Sequence, residues 1–137
     1  MIKLKHPETE RVLFSHEELK CRHCDGAVLA HGFENALIAL RVAFNNPMTV
    51  TSCCRCEAHN SNIGGHPKSL HVYDFPAHPT AGTAAIDIAG AIGARALRLI
   101  SLAYQQGWSV GLNFSRNFIH LDRRNDFGIG ASTLFRY

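Results

Sequence analysis

Trp108-Ser109-Val110-Gly111-Leu112-Asn113-Phe114-Ser115-Arg116-Asn117-Phe118-Ile119-His120-Leu121-Asp122 is the stretch whose pattern decides the fold class. Trp108, Val110, Leu112 and Phe114 fall on alternate positions, so residues 108–114 predict a strand with one apolar face. Ser115-Arg116-Asn117 supplies a turn, and residues 118–122 predict the returning strand. Upstream, the apolar positions 33, 37, 40 and 44 recur at helical spacing, and Asn45-Asn46-Pro47 stops them. Ile92, Ala96, Leu99, Ile100 and Ala103 mark a second amphipathic helix, with Arg95, Arg98 and Gln105 outside and Gly107 as its stop. Ser15 with Glu18 reads as a capping box, flanked by Phe14 and Leu19 as a hydrophobic staple, opening a short helix that Cys21 to Gly26 ends in a turn. Residues 48–52 are rich in β-branched side chains and predict a strand, and residues 84–89 predict a short buried one. Residues 54–81 predict a long loop whose Cys and His content favours function. Helices and antiparallel hairpins in separate blocks indicate an α+β fold, a small antiparallel sheet with flanking helices.

The chain has 137 residues, the length of one domain spanning residues 1–137. With 46% hydrophobic and 18% charged residues it has the balance of a folded globular protein rather than a disordered one. No apolar run approaches the roughly 20 residues of a membrane helix, so no membrane insertion is expected. Met1-Ile2-Lys3-Leu4-Lys5-His6-Pro7 has no apolar stretch behind its basic residues, and synthesis in the cytoplasm without a signal peptide is the expectation. The formal charge of +3 is weak and its basic residues are scattered, which argues against nucleic acid as a partner. Histidine is the informative excess, with nine present, because it is the commonest metal ligand. Five cysteines cannot all pair within one chain.

Three apolar frames each carry hydrogen-bonding residues: Ser69-Leu70-His71, Ala84-Ala85-Ile86-Asp87-Ile88 and Phe118-Ile119-His120-Leu121-Asp122. A carboxylate inside a buried run, as at Asp87, must be paired or bound to a metal. Two His and one Asp make a sound open zinc site. The alternative is a buried Asp capping backbone groups beside two ordinary histidines. On the last strand His120 and Asp122 share a face.

These segments, together with Thr51-Ser52-Cys53-Cys54-Arg55 and His59-Asn60-Ser61-Asn62-Ile63-Gly64-Gly65, stand in an order that resembles one family. It is that of the zinc D-alanyl-D-alanine carboxypeptidases and L-alanyl-D-glutamate endopeptidases, in the small branch common in bacteriophages, and the resemblance spans about residues 14–124. It implies a hedgehog/DD-peptidase-like fold, zinc as cofactor and peptidoglycan stem peptides or cross-links as substrate. It implies His71, Asp87 and His120 as metal ligands, Arg55 as the residue binding substrate or stabilising the scissile carbonyl, and Ser69 on the substrate side. Such a protein would be a monomer released as an endolysin for cell wall degradation, or carried in a virion.

Three positions depart from the family pattern. His71 and Asp87 are sixteen apart rather than seven, so residues 72–81 form an apparent insertion, and His78 competes with His71 as a ligand. Cys53-Cys54 replaces the usual Gly-Tyr. Phe118 and Asn117 occupy positions where many relatives carry a catalytic carboxylate or histidine. Asp122 is then the nearest acid and the expected general base, its alternative role being to orient His120. Cys21-x-x-Cys24 has zinc-knuckle spacing, with partners to come from Cys53, Cys54 or Cys56; disulfides or free buried thiols are the other readings. His16 and His23 are expected on the surface, and Trp108 and Phe135-Arg136-Tyr137 as core and edge packing. A non-catalytic zinc-containing module of the same fold, binding cell wall or serving in a virion, and a zinc-ribbon-like interaction protein stand as alternatives.

Overall fold

Glu18 accepts the Ser15 amide at 3.0 Å while its own amide donates back to Ser15 Oγ, which completes the expected capping box. A four-residue helix, α1 (His16–Leu19), starts there with Leu19 buried. The computed structural model of the chain describes residues 1–75 and 80–137. His78 lies outside the described residues.

A two-stranded hairpin, β1 (Lys3–Lys5) and β2 (Val12–Ser15), precedes α1. Helix α2 (Phe33–Phe44) follows the predicted spacing, burying Phe33, Leu37, Leu40 and Phe44, and ends where Asn45 turns into the left-handed region. After β3 (Val50–Ser52) comes a six-residue helix, α3 (Glu57–Asn62), inside the expected loop. Its N-terminus is capped by sulfur: Cys56 Sγ accepts the His59 amide. Strand β4 (Ala85–Ala89) and helix α4 (Ala94–Gln105) follow. The helix starts later than its apolar spacing predicts, because Gly93 has a positive φ at the cap position and Ile92 is left exposed. Strands β5 (Ser109–Asn113) and β6 (Phe118–Asp122) form the expected hairpin, and Asn117 adopts the positive φ that its turn requires. A 3₁₀ turn (Arg124–Phe127) and a last strand, β7 (Leu134–Arg136), complete the chain.

The main sheet has five strands in the order β3-β4-β6-β5-β7, antiparallel except for the β5–β7 pair. The parallel strand β7 is an addition to the antiparallel sheet expected. Ile86 pairs with Leu121 and Ile88 with Ile119, and these side chains join Leu37, Leu40, Leu99 and Trp108 in the core. The intervening positions of the same strands point to the opposite face. There Asp87 is the register partner of His120, and Ala85 that of Asp122. Directly opposed residues have Cβ atoms about 5 Å apart, so the β4–β6 register alone brings a carboxylate and an imidazole together.

On the other side of His120 its register partner is Gly111. A Cβ there would stand 2.8 Å from the Phe135 ring. The missing side chain leaves room for the C-terminal aromatics to lie against His120: Tyr137 stacks on it at 4.1 Å between ring centroids, and Phe135 meets it edge-on at 5.7 Å. Among the described residues no helix is long and apolar enough to cross a membrane.

Candidate metal centre

His71 lies between α3 and β4, and its backbone is held from both sides. Ser69 Oγ accepts the His71 amide at 3.2 Å, while the His71 carbonyl accepts from Thr83 Oγ1 and the Arg55 amide. That clamp aims the ring at β4 and β6. His71 Nε2 is 3.1 Å from Asp87 Oδ1 and 3.3 Å from His120 Nδ1, and His120 Nδ1 is 2.9 Å from Asp87 Oδ1. All three residues are buried.

The outer atoms of the two rings decide their tautomers. His71 Nδ1 is 2.7 Å from the Cys53 carbonyl, which only accepts, so this nitrogen carries the hydrogen. His120 Nε2 is 2.9 Å from Asp122 Oδ2, a carboxylate, and also carries one. In the neutral rings His71 Nε2 and His120 Nδ1 are therefore lone pairs, turned on each other and on a carboxylate oxygen. Three acceptors that close need a cation or an added proton between them. Two imidazole nitrogens and one carboxylate oxygen are the donor set of an open zinc site, and this cluster could hold that metal.

Electrostatics in the protein free of metal follow from the same contacts. Burial lowers the pKa of His71 below its ordinary value. Burial also opposes charge on His120, yet its hydrogen bonds to the Asp122 and Asp87 carboxylates outweigh it and raise that pKa. Burial works against ionised Asp87, but the two imidazoles hold its carboxyl well below the usual range.

Asp87 Oδ2 points the other way, accepting from Arg55 at 3.3 Å. Arg55 is buried, and its guanidinium also donates to Ser52 Oγ and Asn60 Oδ1. Asn60 in turn donates to the His66 carbonyl. A Cβ on Gly65 would fall 2.1 Å from Asn60 Oδ1, so the segment from His59 to Gly65 builds the brace for Arg55 and needs glycine at its end.

Asp122 is fully buried, with both oxygens engaged. Oδ2 accepts from His120 and from Arg124 at 2.7 Å, and Oδ1 accepts from the Arg124 amide and Nε. Burial opposes its charge, but His120 and Arg124 pull its pKa down from 3.8 to about 2. A carboxyl depressed on folding stabilises the fold above its unfolded pKa and loses that contribution as the pH falls through the folded value. In chelated protein, stability is thus expected to drop between about pH 5 and pH 2, with Asp122 contributing on the order of 2 kcal/mol. Thermal unfolding followed down that range should show a shallower acid slope in Asp122→Asn, and identical slopes would disprove the assignment.

Of the three ligand residues, His120 lines a cleft of about 620 Å³, behind which His71 and Asp87 are buried. Arg55, Lys68, Arg116 and Arg124 line it with His66 and Ser69, and among the described residues Asp122 is the one acid in its lining. Phe135 and Tyr137 form a wall. The sequence predicts edge packing for these aromatics; in the structure β7 sets them against His120 as a wall of the cleft. Arg124, two residues beyond Asp122, carries no motif signal yet holds that carboxylate. Of the positions that depart from the family pattern, Asn117 Oδ1 accepts the Ala91 amide and Phe118 packs edge-on against Tyr137. Trp108 is in the core as expected, edge-on to Phe33.

The cysteines separate into two groups. Cys21, Cys24 and Cys56 gather, with sulfurs within 4.8 Å of one another. Cys53 and Cys54 stay apart from them, buried in the core, with the Cys53 carbonyl serving His71. None of the five forms a disulfide.

A search of curated proteins returns no match. The sequence profile of the family described as Peptidase M15 matches residues 12–122. That span contains His71, Asp87 and His120, and ends on Asp122. The chain therefore belongs to the M15 family of zinc peptidases, the D-alanyl-D-alanine carboxypeptidase type.

Proposed function

We propose that the protein is a zinc-dependent hydrolase of peptide bonds in peptidoglycan stem peptides or cross-links, on a hedgehog/DD-peptidase-type fold, acting in phage lysis or from a virion. The observation that carries the substrate reading is the cleft: it reaches the three-ligand cluster at His120, and its lining holds four permanent cations, Arg55 and Arg124 paired with buried acids, against the single acid Asp122. Stem peptides carry D-Glu side-chain and terminal carboxylates, and such a lining attracts them.

His71 Nε2, Asp87 Oδ1 and His120 Nδ1 would hold the metal, which when bound supplies a Lewis acid for the scissile carbonyl and lowers the pKa of water to about 7. Asp87 divides its two oxygens between the cluster and Arg55. Arg55 always bears its charge, lines the cleft, and would stabilise the developing oxyanion or grip a substrate carboxylate. Ser69 is half-buried on the cleft and sets the His71 backbone. The general-base role expected of Asp122 fits these contacts poorly. It lies beyond the far nitrogen of His120, and Arg124 occupies both of its oxygens. Its place is that of a residue orienting His120.

Purified sacculi incubated with the full chain should release soluble peptides, identified by mass spectrometry. Chelator should stop the release and added zinc restore it. Intact sacculi at full zinc occupancy would sink the enzymatic reading and favour the non-catalytic module; binding to sacculi without release would establish that alternative.

A further inference from the structure

Some 35 residues separate Cys21 from Cys56, yet the Cys56 amide donates to Cys21 Sγ at 3.3 Å. Cys21 sits at the head of a turn, Cys21-Arg22-His23-Cys24, whose backbone amides favour charge on its sulfur. A buried sulfur that accepts a backbone amide is set up for thiolate as well as thiol. On the other side, Cys56 caps α3 and its Sγ accepts the His59 amide at 3.3 Å. Cys24 Sγ is exposed and within 2.9 Å of Tyr73 Oη. Three sulfurs, two of them receiving backbone N–H groups, thus converge from two unrelated segments without bonding covalently.

An imidazole stands beside one of the three sulfurs. His23 Nδ1 stands 3.5 Å from Cys56 Sγ, and the His23 ring is stacked on that of His59, nearly parallel. Zinc with Zn–S of about 2.3 Å and Zn–N of about 2.0–2.1 Å requires S···N edges of about 3.6 Å and S···S edges of about 3.8 Å in a tetrahedron. One of the three S···N edges is already present, at Cys56; the sulfurs need to close by an ångström at most, and the His23 ring has to turn in toward the other two.

We propose that Cys21, Cys24 and Cys56, with His23 as the fourth ligand, bind a second zinc ion that is structural. Four protein ligands leave no open position, so the site carries no hydrolysis of its own. Its effect is mechanical. Cys56 directly follows Arg55, the residue that braces Asp87. Zinc would fasten this segment to the turn after α1 and close a long loop, and binding of this kind is folding free energy. The proposal is independent of the peptidase reading, because no residue is shared with the His71 cluster.

The test is metal content and spectroscopy of the full chain purified from zinc-supplemented medium without chelator. Two zinc ions per chain are expected. Cys24→Ser, at an exposed position, should retain the fold and one zinc. Cobalt-substituted wild type should show thiolate-to-cobalt charge-transfer absorption in the near ultraviolet, which Cys24→Ser abolishes and His71→Ala leaves in place. His23→Ala should weaken this second ion while sparing the thiolate bands; the same loss in His59→Ala instead would overturn the fourth ligand. One zinc per chain in both wild type and Cys24→Ser overturns the site. So does a cobalt protein with no thiolate band, or a mass showing a disulfide among Cys21, Cys24 and Cys56.

Discussion

Asp87→Ala is expected to abolish metal binding at the His71 cluster and reduce peptide release to background, with a loss of about 3–5 kcal/mol in stability. The stability loss does not come from packing, because the side chain is small. It comes from Arg55, which is only 7% exposed and would lose its anion while remaining charged. Asp87 also stands between the two imidazoles, so its removal leaves two nitrogen lone pairs 3.3 Å apart with no carboxylate to share a cation. Asp87→Asn keeps the volume and an acceptor oxygen. It should lose the metal as completely as alanine does, but less stability. A double variant, Asp87→Ala with Arg55→Met, removes the stranded charge and should recover much of the stability and none of the metal. Chemical denaturation and zinc analysis on the same preparations separate the two effects. Equal stability of Asp87→Ala and the double variant would show that the Arg55–Asp87 pair does not govern this part of the fold.

Asp87 and His120 were legible as polar interruptions because strands impose a period of two, whereas His71, on no strand, and the ligand set as a whole were implied by the family resemblance. Asp87 interrupts Ile86 and Ile88, and His120 interrupts Ile119 and Leu121, so each polar residue had to leave the core face its neighbours occupy. What the alternation could not supply was the pairing of β4 with β6, which makes Asp87 and His120 direct partners. Helix α2 was legible from its apolar stripe, whereas α3 was not: its six residues, Glu57–Asn62, carry no such stripe, and its start depends on a cysteine acting as a cap. The aromatic wall was hidden for another reason. Leu134–Arg136 is a three-residue strand whose place beside β5 depends on a bare glycine, Gly111, some twenty residues earlier. The cysteines were ambiguous in sequence because Cys53, Cys54 and Cys56 are nearly adjacent. A strand end followed by a helix start sends Cys53 and Cys54 into the core and Cys56 to the turn at Cys21.

Asp122→Asn separates orienting His120 from taking a proton, and the two roles predict different numbers. The amide oxygen of asparagine can still accept from His120 Nε2, but the negative charge that raises the basicity of Nδ1 is gone, and Arg124 loses its partner. Second-sphere partners of this kind change metal affinity by roughly 10–100-fold when replaced. The expected result is therefore a zinc affinity weakened by about that factor, with kcat close to wild type once zinc is saturating. A general base behaves in the opposite way, retaining the metal and losing about 10²–10⁴ in kcat. Geometry favours the first outcome, since a carboxylate held at 2.9 Å from the outer nitrogen of His120 has the whole imidazole between itself and the ligand cluster. Arg124→Gln provides the control. It frees the Asp122 oxygens without removing their charge, so it should lower zinc affinity less than Asp122→Asn does. If Asp122→Asn keeps full zinc occupancy and loses activity a hundredfold or more, Asp122 exchanges the proton after all, and the carboxylate must swing away from His120 during turnover.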